Sequence, residues 1–136
     1  MLPGDSVDRL RLGSRNLILT GFMGTGKTAV GQEIARRLGR EFVDMDALLE
    51  DREAMTVGSI FRQKGEACFR QLEASLCREL AARQELVIAT GGGALIPDAN
   101  REILSASGPV VCLTASPDVI LRRLEVAEDL SLIHIS

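Results

Sequence analysis

Residues Gly21–Thr28, GFMGTGKT, follow the short apolar run Asn16–Thr20 and lead into Lys27–Leu38, where Val30, Ile34 and Leu38 recur every four positions before Gly39. An apolar run, a glycine-rich turn and a helical apolar period read as strand, loop and helix. The stretch satisfies G-x-x-x-x-G-K-[ST] in the context which that pattern requires. Its glycines permit positive φ, so successive N–H groups can turn inward and cradle phosphate oxygens at the positive end of the helix. Lys27 would add a point charge near the β and γ phosphates, and the Thr28 hydroxyl is placed to ligate Mg²⁺. An accidental glycine turn is the alternative, and the strand-loop-helix setting argues against it. The loop alone fits GTPases, motor ATPases and small kinases equally well.

On either side of this stretch, β and α signals alternate with no internal repeat, which predicts an α/β fold with a central parallel sheet in three layers, α/β/α. Glu41–Asp44 reads as a second short strand, Ala47–Glu53 as a helical turn or two, and Val57–Lys64 as a helix. From Gly65 to about Ala82, Phe69, Leu72, Leu76 and Leu80 form one apolar stripe of a long helix. Leu86–Thr90 is a continuous apolar run, as expected for a strand covered on both faces, and it ends in Gly91-Gly92-Gly93. A helix from Asp98 to Ser105, a strand over Val110–Leu113 and a helix from Ser116 to about Glu125 complete the pattern, the last with Ser116 as N-cap and Pro117 at the first helical position.

Three further clusters carry candidate chemistry. In Phe42-Val43-Asp44-Met45-Asp46 a strand period of two puts both carboxylates on one face, where one could support a metal and the other accept hydrogen bonds from substrate hydroxyls. A solvated strand end with turn-forming aspartates remains the alternative. Arg70 and Glu73 are three apart on the long helix, so the carboxylate can hold the guanidinium in one orientation to grip a substrate carboxylate. A plain surface ion pair fits the same spacing. The Gly91–Gly93 run offers bare backbone N–H groups at the carboxyl edge of the sheet, where open α/β sheets bind ligands, or else a flexible loop.

Composition narrows the classes. The 136 residues are 46% apolar and 26% charged, as expected for one ordinary globular domain. A formal charge of -3 gives no global basic field for nucleic acid or an anionic membrane, and the absence of Trp and Tyr removes an aromatic stacking platform. The uncharged apolar stretch Leu86–Ile96 is far short of the roughly 18 residues that span a bilayer. The start, MLPGDSVDR, carries acids where a secretory signal is basic, so a cytoplasmic location is expected. Cys68, Cys77 and Cys112 have no C-x-x-C spacing and are expected as buried, reduced thiols. His134 is the only histidine and lies at the chain end, which sets aside Ser-His and His-metal mechanisms.

GFMGTGKT, FVDMD, FRQLE and TGGG, in this order and at these intervals, together resemble the signatures of the shikimate kinase family of small P-loop kinases, over about Asn16 to Glu125. The resemblance implies ATP-dependent phosphorylation of the shikimate 3-hydroxyl, with ATP and Mg²⁺ as cofactors, shikimate as the small-molecule partner, and no nucleic acid or membrane; a monomer is expected. It implies that Gly24, Thr25, Gly26, Lys27, Thr28 and Ala29 bind ATP phosphates, that Thr28 ligates Mg²⁺ and that Asp44 supports the metal through water. Asp46 would hold the ring hydroxyls and activate the 3-hydroxyl, which makes Lys27 and Asp46 the catalytic pair. Arg70 would bind the shikimate carboxylate with Glu73 orienting it, Gly92 would contact substrate through its backbone, and Arg122 or Arg123 could flank the adenine.

The resemblance fails after the helix that holds Arg122. The family continues into a lid with an Arg-Pro-Leu segment, a further helix and a fifth strand, whereas this chain runs into LSLIHIS, Leu130–Ser136. The expected division is an N-terminal extension over 1–15, an incomplete P-loop domain over 16–126 with its C-terminal part missing, and a tail over 127–136 foreign to the native domain. Little or no kinase activity is therefore expected of the chain as it stands. The rival readings are a kinase for another small hydroxy acid such as gluconate, and a nucleotide-binding fragment without turnover.

Overall fold

Alternation along the strands divides the side chains between two cores. In β1 (Leu17–Thr20), Leu17 and Leu19 enter one core and Ile18 the other; in β3 (Leu86–Ala89), Val87 joins the first, and Leu86 and Ile88 the second. Successive side chains of a strand point to opposite faces, so a strand apolar at every position must be covered twice. β2 (Glu41–Asp44) and β4 (Val110–Cys112) split likewise, with Phe42 and Val111 on the first side and Val43 and Val110 on the second. The computed structural model describes residues 12–21, 25–91 and 93–113 with positions 118, 119 and 122, and of residues 25–27 only the backbone.

The first core is closed by α1 (Thr25–Leu38) through Val30, Ile34 and Ala35. The second is closed by α2 (Met45–Glu53), α3 (Val57–Lys64), α4 (Glu66–Ala81) and α5 (Asp98–Ser107), which bring Leu49, Ile60, Leu76 and Leu104. This is the expected three-layer α/β/α arrangement. All pairings are parallel, in the order β2-β3-β1-β4, with Leu19 beside Ala89 on one side and Val111 on the other.

That order creates a crevice. The chain leaves β1 towards β2 on one side and leaves β3 towards β4 on the other, so the connections diverge at the carboxyl ends of the two neighbours β1 and β3. Open α/β sheets bind ligands where the winding reverses. Gly21 leaves β1 there with φ +126°, its α-carbon so close to the Leu113 backbone that a side chain would overlap the Leu113 carbonyl. Thr90 and Gly91 leave β3 beside it, Thr90 held by its N–H to the Leu19 carbonyl at 3.0 Å.

Several expectations need correction. Asp46 is not on the second strand: α2 begins at Met45, Asp44 is its N-cap and Asp46 lies in its first turn, so the period of two does not apply. The capping bond from Ala47 N–H to Asp44 Oδ1 (3.0 Å) turns the chain immediately after the last strand residue. Gly65 ends α3 and opens α4 as its N-cap, at φ +86°, its carbonyl accepting from the Phe69 N–H at 3.1 Å. Cys77 is buried as expected, but Cys68 and Cys112 are only partly so; all three are free. Asp118, Val119 and Arg122 are helical, in line with the helix expected from Ser116. The N-terminal extension up to residue 11, Arg123, His134 and the tail lie outside the described residues.

Candidate functional site

The helix that follows the glycine loop starts at Thr25, so Thr25, Gly26 and Lys27 supply its first backbone N–H groups, and no acidic residue stands in that first turn. The unpaired N–H groups and the dipole there favour an anion. Ala29 is half-buried one turn on. Gly24 lies outside the described residues.

Thr28 is the next hydroxyl along this helix, and its Oγ1 donates to Asp44 Oδ2 at 2.6 Å. The contact joins the phosphate-loop helix to the end of β2 through two hard oxygen donors. Such donors suit Mg²⁺, which prefers carboxylate, hydroxyl and water oxygens and keeps much of its hydration. Asp44 Oδ1 caps α2 while Oδ2 accepts from Thr28, so one aspartate both starts a helix and meets the hydroxyl. Nothing in the spacing of Thr28 and Asp44 shows this bond, which depends on α1 lying over β2.

Asp46, in the first turn of α2, rests over the glycine run: a side chain at Gly91 would overlap the Asp46 carboxylate. Arg70 reaches the same run from α4, and a β-carbon at Gly93 would lie 2.7 Å from its Nη1. The absence of side chains at Gly91 and Gly93 is what lets both charged groups approach this backbone. α2 and α4 thus bring one carboxylate and one guanidinium to the same glycine run. Gly92 falls outside the described residues.

Glu73 is 1% exposed, which corrects the surface-pair alternative for this carboxylate. Its Oε1 accepts from Arg70 Nη1 at 3.0 Å, whereas the Glu66 carboxylate is 4.0 Å from Arg70 Nε. Burial pushes the Glu73 carboxyl above its ordinary range; Arg70 opposes that shift and the Asp46 charge adds to it. The guanidinium also lies within cation–π range of two aromatic rings that the sequence did not connect to it. Its central carbon is 5.5 Å from the Phe69 ring centre and 5.9 Å from that of Phe61, and the rings themselves are 4.6 Å apart. Phe69 is legible as the residue before Arg70; Phe61, on α3, gave no signal. Together the rings and Glu73 restrain an arginine whose side chain is still 36% exposed and open to a ligand.

The family model described as "Shikimate kinase" matches residues 23–134. The chain belongs to the shikimate kinase family. The shikimate kinase of Geobacter sulfurreducens is 51% identical over 111 residues, covering 82% of this chain and 61% of its own length. That of Pelotomaculum thermopropionicum is 49% identical over 111 residues, with 82% and 64% covered. Among solved structures, the shikimate kinase from Acinetobacter baumannii in complex with shikimate superposes with a TM-score of 0.71 at 42% identity, over 85% of this chain and 64% of that one. The Bacteroides thetaiotaomicron enzyme gives the same TM-score and identity over 84% and 68%. The chain spans a little under two thirds of the length of these two curated relatives. The parallel sheet, the helices on both of its faces and the phosphate loop are those of this P-loop kinase family. Among the described residues no helix is long and apolar enough to cross a membrane.

Proposed function

We propose that this shikimate kinase family chain contributes to transfer of the γ-phosphoryl group of ATP to the 3-hydroxyl of shikimate. The observation that carries the reading is the convergence of Asp46 and Arg70 on Gly91 and Gly93, beside the Thr28–Asp44 pair. Arg70, oriented by Glu73, would bind the shikimate carboxylate, and Asp46 would accept hydrogen bonds from the ring hydroxyls. Gly92 would add a backbone contact to the substrate. As the 3-hydroxyl oxygen forms its bond to the γ-phosphorus and the bond to the ADP oxygen breaks, Asp46 would take the hydroxyl proton. The backbone from Gly24 to Ala29 and the Lys27 ammonium would hold the phosphates. Thr28, with Asp44 acting through water, would hold Mg²⁺, which supplies charge neutralisation on the phosphates. Phosphoryl transfer needs positioning and electrostatic stabilisation more than covalent help, and these residues offer both.

The test is ADP release measured with ATP and Mg²⁺ in the presence of shikimate, of gluconate, or of no acceptor. Shikimate-dependent release supports the proposal. Gluconate-dependent release would move the chain to the rival hydroxy-acid reading, and nucleotide binding without turnover would leave it a binding fragment.

A further inference from the structure

Buried polar side chains are held in place by what they bond. Asn100 lies in the first turn of α5 and is 2% exposed. Its Nδ2 donates to the backbone carbonyl of Ala94 at 3.0 Å, and that bond is itself buried. Helical preference does not account for an asparagine here, because alanine or leucine suits a helix interior better. The bond does.

Ala94 follows the glycine run directly and is fully buried. Its N–H donates to the Gly91 carbonyl at 3.2 Å, and the Ile96 N–H donates to the Gly93 carbonyl at 3.2 Å. These two bonds fold the chain back on itself at Ala94 and at Ile96, and Asn100 attaches this turn to α5. A second tether from the same helix, Arg101 Nη1 to the Leu95 carbonyl at 3.2 Å, is exposed and so competes with water. The Asn100 bond has no such competitor. Gly91 and Gly93 are the two positions over which the Asp46 carboxylate and the Arg70 guanidinium rest. Any displacement of the turn changes the floor beneath both.

We infer that Asn100 is a positioning residue for the substrate side of the site: by holding the Ala94 carbonyl it sets the distance of the glycine run from Asp46 and Arg70. The inference rests on the proposed reading that these two groups bind shikimate. Without the amide donor, the Ala94 carbonyl is left buried and unpaired, and the turn must open towards water to satisfy it. The nucleotide side, built from α1 and the end of β2, is not attached to this turn by Asn100.

The experiment compares the full chain with Asn100→Leu, which removes the donor, and Asn100→Asp, which keeps the size but sets a carboxylate oxygen against the carbonyl. Shikimate and Mg-ADP binding are titrated separately by calorimetry, and amide hydrogen exchange is followed at Ala94 and Ile96. The expected result is shikimate binding weakened about tenfold in both variants, Mg-ADP binding within about twofold of the parent, and faster exchange at the two amides. Equal weakening for the two ligands, or shikimate binding unchanged in the better-folded variant, overturns the positioning role. If the parent chain binds Mg-ADP but takes up no shikimate, the substrate reading itself fails and the inference falls with it. That outcome is distinct, because it appears before any substitution is made.

Discussion

Glu73 is a carboxylate kept from water one helical turn away from the arginine it holds, and burial raises its pKa despite that partner. A group in this condition costs stability at neutral pH in exchange for orientation of Arg70, because the folded protein disfavours its charged form. Glu73→Gln keeps the shape and removes the buried charge. It should leave the melting temperature unchanged or raised while weakening shikimate binding, since a neutral amide orients Arg70 less firmly. Arg70→Ala should act more severely, because a lost charge-assisted contact is worth about 1.5–3 kcal/mol, or roughly 10-fold to 150-fold in shikimate affinity. Titration of both variants with shikimate and with Mg-ADP separates the two cases; equal loss for both ligands would assign Arg70 to the fold instead. Cys77, four residues further along α4, is pushed up to about 11 by burial, with the Glu73 charge adding to the shift. Its thiol stays neutral in the folded state while the unfolded thiol ionises near 9. Stability from this group is thus complete below about pH 9 and declines as pH rises towards 11. Urea unfolding at pH 8 and 10.5 should show a steeper alkaline loss in the parent than in Cys77→Ala.

Helix α1 reaches β2 only because Gly31 faces the Phe42 ring, where a β-carbon would overlap the ring edge. This contact bears on the site, since it governs how closely Thr28 approaches Asp44. Gly31→Val should cost about 1–3 kcal/mol through overpacking and should weaken Mg-nucleotide binding as the 2.6 Å hydroxyl–carboxylate contact lengthens. Pairing it with Phe42→Ala frees the space, so the double variant should lose less stability than the sum of the two single changes. A strictly additive result would place the strain elsewhere. The helices themselves were readable in advance: Val30 and Ile34 are buried as their spacing requires, and Phe69, Leu76 and Leu80 line the inner face of α4. Asp46 was misplaced because the period-two argument assumes that a strand continues, whereas the capping oxygen of Asp44 ends it at that residue.

Across the whole molecule, the edge of the sheet opposite the site is gathered by Asn16, which is completely buried. Its Nδ2 donates to the carbonyls of Leu80 (3.2 Å) and Arg83 (3.1 Å), and its Oδ1 accepts from the Leu86 N–H at 3.0 Å. Its backbone N–H bonds the Ser107 carbonyl at 3.0 Å, so the start of β1 is tied to the end of α4, the start of β3 and the end of α5. Asn16→Leu leaves several of these groups without partners at once. It should destabilise the chain by about 3 kcal/mol or more, measured by urea unfolding, with little change in the ratio of shikimate to Mg-ADP affinity. A selective loss of one ligand would contradict a purely structural role.

The phosphate loop, the alternation of strands and helices and the three-layer class were legible in the residues because each depends on local order: a glycine spacing, a period of four, an apolar run of strand length. The four short signatures also marked Asp44, Asp46, Arg70, Glu73 and the glycine run as candidates. Their arrangement was not legible. That Glu73 is buried while Arg70 stays partly open was decided by how α4 packs, and the bond from Thr28 to Asp44 spans 16 residues and two elements. Phe61 beside Arg70 and Asn100 beneath the glycine run carry no pattern of their own. Their partners are set by which helix faces meet across the second core, and that is a property of packing, which no spacing along the chain encodes.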